Sequence, residues 1–255
     1  MFISKKQKRS PLQKNPLRRP GQSLEDMMKD IFDEIISYFF MVLFISVLAI
    51  IEWINFYFPF SNARWIYSFV ALFWIIFSIF KILPKIKKGK QIRLGMEGEK
   101  IVAEFLDELK ADGYKVYNDI IDNNFNIDHI IIGPAGVFTI ETKTWSKGSG
   151  KDSISYDGLS IKINGRNYPK DPINQVKNQV YWLSGFLENK AKIKTKIRPV
   201  IIFPGWFVEP MKRGADVWVL NEKSLRTFLK NEERVLSDDQ INLISSHLEE
   251  YNRAA

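Results

Sequence analysis

Two uncharged stretches restrict this chain more than anything else in it. Ile35 to Ile51 is apolar apart from Ser37 and Ser46, and Trp65 to Phe80 has only Ser68 and Ser78 as small polar members. Backbone N–H and C=O groups in such runs must be satisfied internally, so each run reads as a helix wrapped by protein or by lipid. Each falls short of the about 20 residues that span a bilayer. Aromatic flanks lengthen them: Trp53, Phe56, Tyr57 and Phe58 extend the first run with side chains that suit a membrane interface. The segment from about Glu52 to Arg64 contains Pro59, Ser61 and Asn62 and reads as a tight turn. The expectation is a two-helix transmembrane hairpin over 31–84, with spans at about 35–56 and 65–83. The competing reading is a buried helical hairpin of a soluble protein.

Charge placement favours the bilayer and gives it a direction. The first 30 residues carry eight Lys and Arg, including Arg18 and Arg19, with Pro11, Pro16 and Pro20, and read as a disordered basic arm. A short helix from about Ser23 to Glu34 leads into the first span. Lys85 to Lys90, KIKKGK, reads as part of a juxtamembrane linker over 85–94. Lys81, Lys85, Lys87, Lys88, Lys90 and Arg93 follow the second span, whereas Arg64 alone lies between the spans. The positive-inside rule then puts both termini, and everything after the hairpin, on the cytoplasmic side of the plasma membrane. The first span starts too deep in the chain, and without a small-residue cleavage site, to be a removed signal peptide.

The formal net charge of +8 and pI near 9.4 invite a nucleic-acid partner, but residues 1–90 hold 14 Lys and Arg against 6 Asp and Glu, and residues 91–255 hold 23 of each. The larger part of the chain is neutral, so its pI is no argument for binding nucleic acid. The absence of cysteine excludes disulfides and thiolate zinc sites, and with only His129 and His247 a histidine-rich metal centre is excluded too.

Chemistry concentrates between Asn126 and Lys143, NIDHIIIGPAGVFTIETK. Two short buried strands flank a Gly133-Pro134-Ala135-Gly136 turn. Alternation puts Glu141 and Lys143 on one face, and a hairpin brings Asp128 beside them, while His129 turns to the opposite face as a packed, hydrogen-bonded histidine. Two carboxylates brought together repel unless a cation sits between them, and one lysine neutralises only one. Asp and Glu oxygens suit Mg²⁺, with Mn²⁺ as the substitute, and a lysine at the rim can orient an attacking water and offset charge on a phosphate. That combination suits phosphodiester hydrolysis.

Asp128 with Glu141-Thr142-Lys143 resembles the active-site motif of the PD-(D/E)XK nuclease superfamily. Together with Gly95-Met96-Glu97-Gly98-Glu99, Asn126-Ile127-Asp128-His129 and Gly136-Val137-Phe138, it is similar to the nuclease-related domain called NERD, over roughly residues 91 to 205. The resemblance implies an α/β, restriction-endonuclease-like domain with a central mixed sheet flanked by helices, at 95–205, with 206–255 completing it. It also implies a metal held by Asp128, Glu141 and the Thr142 carbonyl, and a helix-borne glutamate. A helical pattern over about 91–112 buries Val102, Phe105, Leu106 and Leu109. Glu99 falls at the edge of that stripe and Glu97 points away, so Glu99 takes the role, with Glu97 the alternative. A helix starting at Asp171-Pro172 carries Gln175 and Gln179, and Gln175 matches the glutamine that recurs in this group. Lys147, Lys151 and Lys177 are the expected nucleic-acid contacts, and the basic series Lys190, Lys192, Lys194, Lys196 and Arg198 reads as a DNA path or a solvated strand edge.

The expectation is therefore a membrane-anchored, Mg²⁺-dependent nuclease with nucleic acid, DNA ahead of RNA, and the lipid bilayer as partners. An inactive, membrane-tethered nucleic-acid-binding or adaptor protein using the same fold is the alternative.

Overall fold

The computed structural model describes residues 15–55, 64–122, 125–148, 152–168, 171–210 and 214–254. Residues 1–14 of the basic arm, the inter-span turn at 56–63, and Lys151 lie outside the described residues. The chain divides into two units, one of residues 23–97 and one of 1–22 together with 98–255.

The first unit is built on α1 (Gln22–Asn55) and α2 (Arg64–Glu108), whose residues from Gly98 onward belong to the second unit. With no Gly or Pro between Gln22 and Asn55, the expected short helix and first span are one helix. Residues 22–30 are thus helical, where the sequence reads as part of a disordered arm. The linker expected at 85–94 is also helix, inside α2: its straight-chain Lys, Gln, Arg and Leu residues propagate the helix past Pro84. Phe39, Phe44, Phe69, Phe73 and Phe80 each stand more than 60% exposed, the reverse of a soluble protein's core helices. Both helices are long and apolar enough to cross a membrane. They meet through Ile45, Ala49 and Ala71, with Tyr67 and Trp74 packed alongside, and the Trp53 indole N–H donates to Ser68 Oγ at 3.0 Å.

The second unit is an α/β body. Its main sheet comprises β1 (Lys115–Asp122), β2 (Phe125–Gly133), β3 (Gly136–Thr142), β7 (Ile197–Ile202) and β9 (Trp218–Leu220), in the order β1-β2-β3-β7-β9. The first three pair antiparallel, and β3, β7 and β9 pair parallel, giving the mixed sheet expected. A second, four-stranded sheet, β6-β5-β4-β8, is formed by β4 (Ser153–Tyr156), β5 (Ile161–Ile163), β6 (Arg166–Asn167) and β8 (Phe207–Val208).

Ile130, Ile131 and Ile132 are fully buried because β2 is covered on both faces. On one side lie α3 (Pro172–Phe186), a following π-helical turn (Leu187–Ala191) and α5 (Asp238–Ala254), which pack Leu183, Leu187, Ile244 and Leu248 against Ile130 and Ile132. On the other lie the end of α2 and α4 (Glu222–Lys230), which pack Leu106, Leu225 and Leu229 against Ile131, Phe138 and Ile140. Asp171 caps α3 by accepting from Asn174 N at 3.1 Å, and Ser237 and Gln240 form a reciprocal capping box ahead of α5. The basic series is not a strand edge: β7 is internal to its sheet, and Arg198 stacks 4.9 Å over Trp218 and faces Glu232 at 3.4 Å.

Gly98 lets α2 run close to the end of β3, since a Cβ there would overlap the Thr144 side chain. Gly98→Ala is therefore expected to destabilise the body by about 1–3 kcal/mol. Gly185→Ala, on α3 where a Cβ meets nothing within 4 Å, is expected to stabilise it by about 0.5–1 kcal/mol. Thermal melting of the detergent-solubilised variants checks both signs.

Candidate active site

Strands β2 and β3 and helices α2 and α3 bring one set of side chains together. Asp128 is on β2, Glu141 and Thr142 end β3, and Lys143 continues the ladder by donating its N–H to Ile202 O at 2.8 Å. From α3, Gln175 and Gln179 project on one face, being one helical turn apart. Lys143 Nζ donates to Glu141 Oε1 at 2.5 Å and to Gln175 Oε1 at 2.9 Å, and Gln175 Nε2 donates to Glu141 Oε1 at 2.7 Å. The second oxygen of Glu141 accepts from Gln179 Nε2 at 2.6 Å. Asp128 Oδ2 accepts from the backbone N–H of Thr142 at 2.8 Å, which ties β2 to β3 at the site.

Glu99 enters from α2, 5% exposed, and its Oε2 is buried without a hydrogen-bond partner among the described residues. The Gly21 N–H reaches its carboxyl, and burial, followed by the negative charges of Asp119 and Glu141, pushes Glu99 up to about 7. Asp128 is held well above the carboxylate range, again by burial first and then by Glu141 and Glu99. Burial works against the charge on Lys143, but Glu141 and Asp128 outweigh it and raise the ammonium.

Two further residues belong to this electrostatic group. Asp119 on β1 is fully buried with φ of +51°, and the β1–β2 register on either side places it across from Asp128. Arg18, just ahead of α1, meets its Oδ2 at 2.7 Å. The Arg18 N–H also donates to Asn252 Oδ1 at 3.0 Å, and Asn15 Nδ2 donates to Arg253 O at 3.1 Å. Residues 15–21 therefore make specific contacts with the α/β body, where the sequence reads as a disordered arm.

Four carboxylates, Glu99, Asp119, Asp128 and Glu141, are thus set against two cations, Lys143 and Arg18. Fully ionised, the group lacks two positive charges, which two protons or one divalent cation supply. Its ligand chemistry is all oxygen, as Mg²⁺ or Mn²⁺ requires. Among the described residues no three Asp, Glu or His side chains stand at metal-holding separation, and amide and ammonium donors meet both oxygens of Glu141.

Residues 94–204 match the nuclease-related domain, NERD. The structure of SfsA from Pyrococcus furiosus in complex with Ca²⁺ is a further match, 17% identical over 64% of this chain and 54% of that one, with a TM-score of 0.22. The chain spans about half the length of SfsA. No curated protein matches it.

The structure gathers Glu141, Lys143 and Gln175 by direct hydrogen bonds, holds Asp128 beside them through the Thr142 N–H, and brings Glu99 within their field. Thr142 is buried among them, and Glu97 stays on the outer side of α2, where Arg93 meets it at 3.1 Å. Lys147 donates to the Gly205 carbonyl and lies 5.7 Å over the Trp206 ring. Lys177 is exposed, two residues from both Gln175 and Gln179, and so points away from the face those glutamines share. His129 is buried with Nδ1 2.8 Å from Asn118 Oδ1, and burial lowers it to about 3, so it is a neutral packed residue as expected. Sequence reasoning passed over Gln179, although its four-residue spacing from Gln175 was visible, and it missed Asp119 and Arg18. Asp119, the acid within the strand Tyr117-Asn118-Asp119-Ile120-Ile121, was the available signal.

Removing one partner of a buried ion pair leaves the other charge uncompensated. Arg18→Met is expected to cost about 3–5 kcal/mol, and adding Asp119→Asn is expected to restore much of it; a double-mutant cycle by thermal melting measures the coupling. A raised carboxyl makes the folded state hold a proton that the unfolded state has released. In EDTA, stability should therefore fall as pH rises from about 4.5 towards 7, the window between the unfolded and folded values of Glu99. Glu99→Gln should flatten that slope in melting curves.

Proposed function

We propose that the chain is a membrane-anchored, metal-dependent nuclease that hydrolyses phosphodiester bonds of nucleic acid on the cytoplasmic side. The observation that carries this reading is the convergence of Asp128 on β2 with Glu141 and Lys143 at the end of β3, with Gln175 and Gln179 fixing the glutamate. The match of residues 94–204 to the nuclease-related domain supports it.

Asp128, Glu141 and the Thr142 carbonyl would hold the Mg²⁺, with Glu99 supporting them; the ion supplies charge for the scissile phosphate and lowers the pKa of an attacking water. Lys143, once off Glu141, is placed to orient that water and to stabilise the negative charge that grows on the phosphate oxygens. The water oxygen would give up a proton to solvent as it bonds to phosphorus, one bridging P–O bond breaks, and the departing oxygen takes up a proton from solvent. Gln175 holds Lys143 and Glu141 in register, and Gln179 fixes the second, more deeply buried carboxylate oxygen. The neutral charge balance of residues 91–255 makes substrate capture local to these groups.

Anchoring rests on the outward-facing apolar surface of α1 and α2. The Lys and Arg residues flanking the hairpin support the cytoplasmic orientation of the domain.

One observation favours a second reading, a tethered binding or adaptor protein without catalysis: both oxygens of Glu141 are satisfied by the protein itself. Incubating the full chain in nanodiscs with supercoiled, linear and single-stranded DNA and with RNA separates the two. The nuclease reading expects cleavage with Mg²⁺ or Mn²⁺, none in EDTA, and losses of at least about a hundredfold in Asp128→Ala, Glu141→Ala and Lys143→Ala. Absence of cleavage, with no rise in melting temperature on adding metal, selects the adaptor.

A further inference from the structure

Beyond the carboxylate group, the polypeptide leaving β3 carries Trp145 two residues after Lys143, a residue 42% exposed. An exposed tryptophan usually has little holding it in place, but this one is braced. Its ring lies 5.5 Å from that of Tyr168, and Tyr168 packs edge-on at 5.8 Å against Phe203, which is fully buried. The three rings form a column from the core to the surface, and the charges of Lys143 and Glu141 are felt at Tyr168.

The open end of the column faces a groove of about 580 Å³ lined by Trp145, Ile163, Asn164, Arg166 and Asn167. That volume lies within the roughly 300–1,000 Å³ of small-ligand sites. Its far wall is a rigid hairpin. Asn164 and Gly165 both adopt positive φ, +50° and +76°, the geometry of a two-residue turn whose twist matches its strands. Ile163 pairs with Arg166, and Tyr168 N–H donates to Ile161 O at 2.8 Å. Asn164 is spent on the turn: its Oδ1 accepts from Ser153 N at 2.8 Å and its Nδ2 donates to Asp152 Oδ1 at 2.6 Å. Arg166 is exposed, and among the described residues its guanidinium has no ion pair or hydrogen bond. Being two residues apart, Arg166 and Tyr168 project from the same side of the strand, so the cation stands beside the aromatic column.

We propose that this groove is a subsite for an unpaired nucleotide, whose base stacks on the open face of Trp145 while Arg166 pairs with its phosphate. An aromatic face and a guanidinium side by side fit a base and its backbone charge. The nucleotide is unpaired because a base inside a duplex has both faces covered by its neighbours and cannot stack on a side chain without leaving the helix. The site therefore favours single strands, flaps or frayed ends over continuous duplex, next to the residues that would cut them. This specificity rests on the nuclease reading, but the binding step does not need catalysis.

The test uses the full chain in nanodiscs, in EDTA, with fluorescein-labelled oligo(dT), the same strand carrying abasic sites, and a blunt duplex of equal length, followed by fluorescence polarisation. The expected result is tighter binding of oligo(dT) than of the duplex or the abasic strand. Trp145→Ala should weaken oligo(dT) binding by about five- to a hundredfold, with Trp145→Phe recovering most of it. Arg166→Ala should lower the slope of log affinity against log salt by about 0.7. Unchanged melting temperatures in these surface variants establish that they fold. Equal affinity for single strand and duplex, or oligo(dT) binding indifferent to Trp145→Ala, overturns the subsite. Metal-dependent cleavage that survives both substitutions on every substrate would overturn the subsite and leave the nuclease standing. Trp145-dependent binding without cleavage by the wild-type chain would support the subsite and overturn the nuclease.

Discussion

Repulsion among Glu99, Asp119, Asp128 and Glu141, all withdrawn from water, sets the terms on which the α/β body is assembled. At an effective dielectric of about 20, two like charges 4 Å apart cost about 4 kcal/mol, a large part of a domain's net stability. Such a group persists only if donors converge on it. They do: Lys143 from the end of β3, Gln175 and Gln179 from α3, the Thr142 N–H from the sheet, and the Gly21 N–H and Arg18 from the segment ahead of α1. The meander of β1, β2 and β3, the close pass of α2 at Gly98 and the capped start of α3 each deliver one part of that arrangement.

The same accounting explains how two units of opposite character share one chain. Residues 23–97 hold the outward-facing apolar helices, while residues 98–255 are balanced in charge and bury their apolar side chains in a conventional core; most of the excess positive charge lies in residues 1–22. Recognition of an anionic polymer by residues 98–255 therefore cannot rest on a broad positive field. It rests on a few groups placed with care, and those whose charge is internally matched, such as Arg198 on Glu232 and Trp218, are committed to the fold.

The segment ahead of α1 joins these themes. Its composition is that of an arm that does not fold by itself, rich in charge and proline, yet Arg18 reaches a fully buried partner 101 residues away. Composition describes what a segment can bury on its own. It is silent about a pocket prepared elsewhere in the chain, where one guanidinium meets a carboxylate that would otherwise be buried alone.

Periodicity carried the sequence reading wherever contacts are local. Alternation along a strand was enough to place Glu141 with Lys143 and to turn His129 away from Asp128, and the 3.6-residue repeat was enough to separate Glu99 from Glu97. Uninterrupted apolar composition was likewise enough to define two long helices. What failed were questions of docking. Gln175 and Gln179 share a helix face, and only the seating of α3 on β3 shows that both reach Glu141. Asp119 looks like an isolated acid in an apolar strand until strand pairing sets it opposite Asp128. The sequence by itself determined the two helices, the strand pair and the acids and lysine at its ends, because those follow from spacing along the backbone. Only the tertiary structure decided how their charges are balanced, because the compensating groups come from segments that spacing along the chain does not relate.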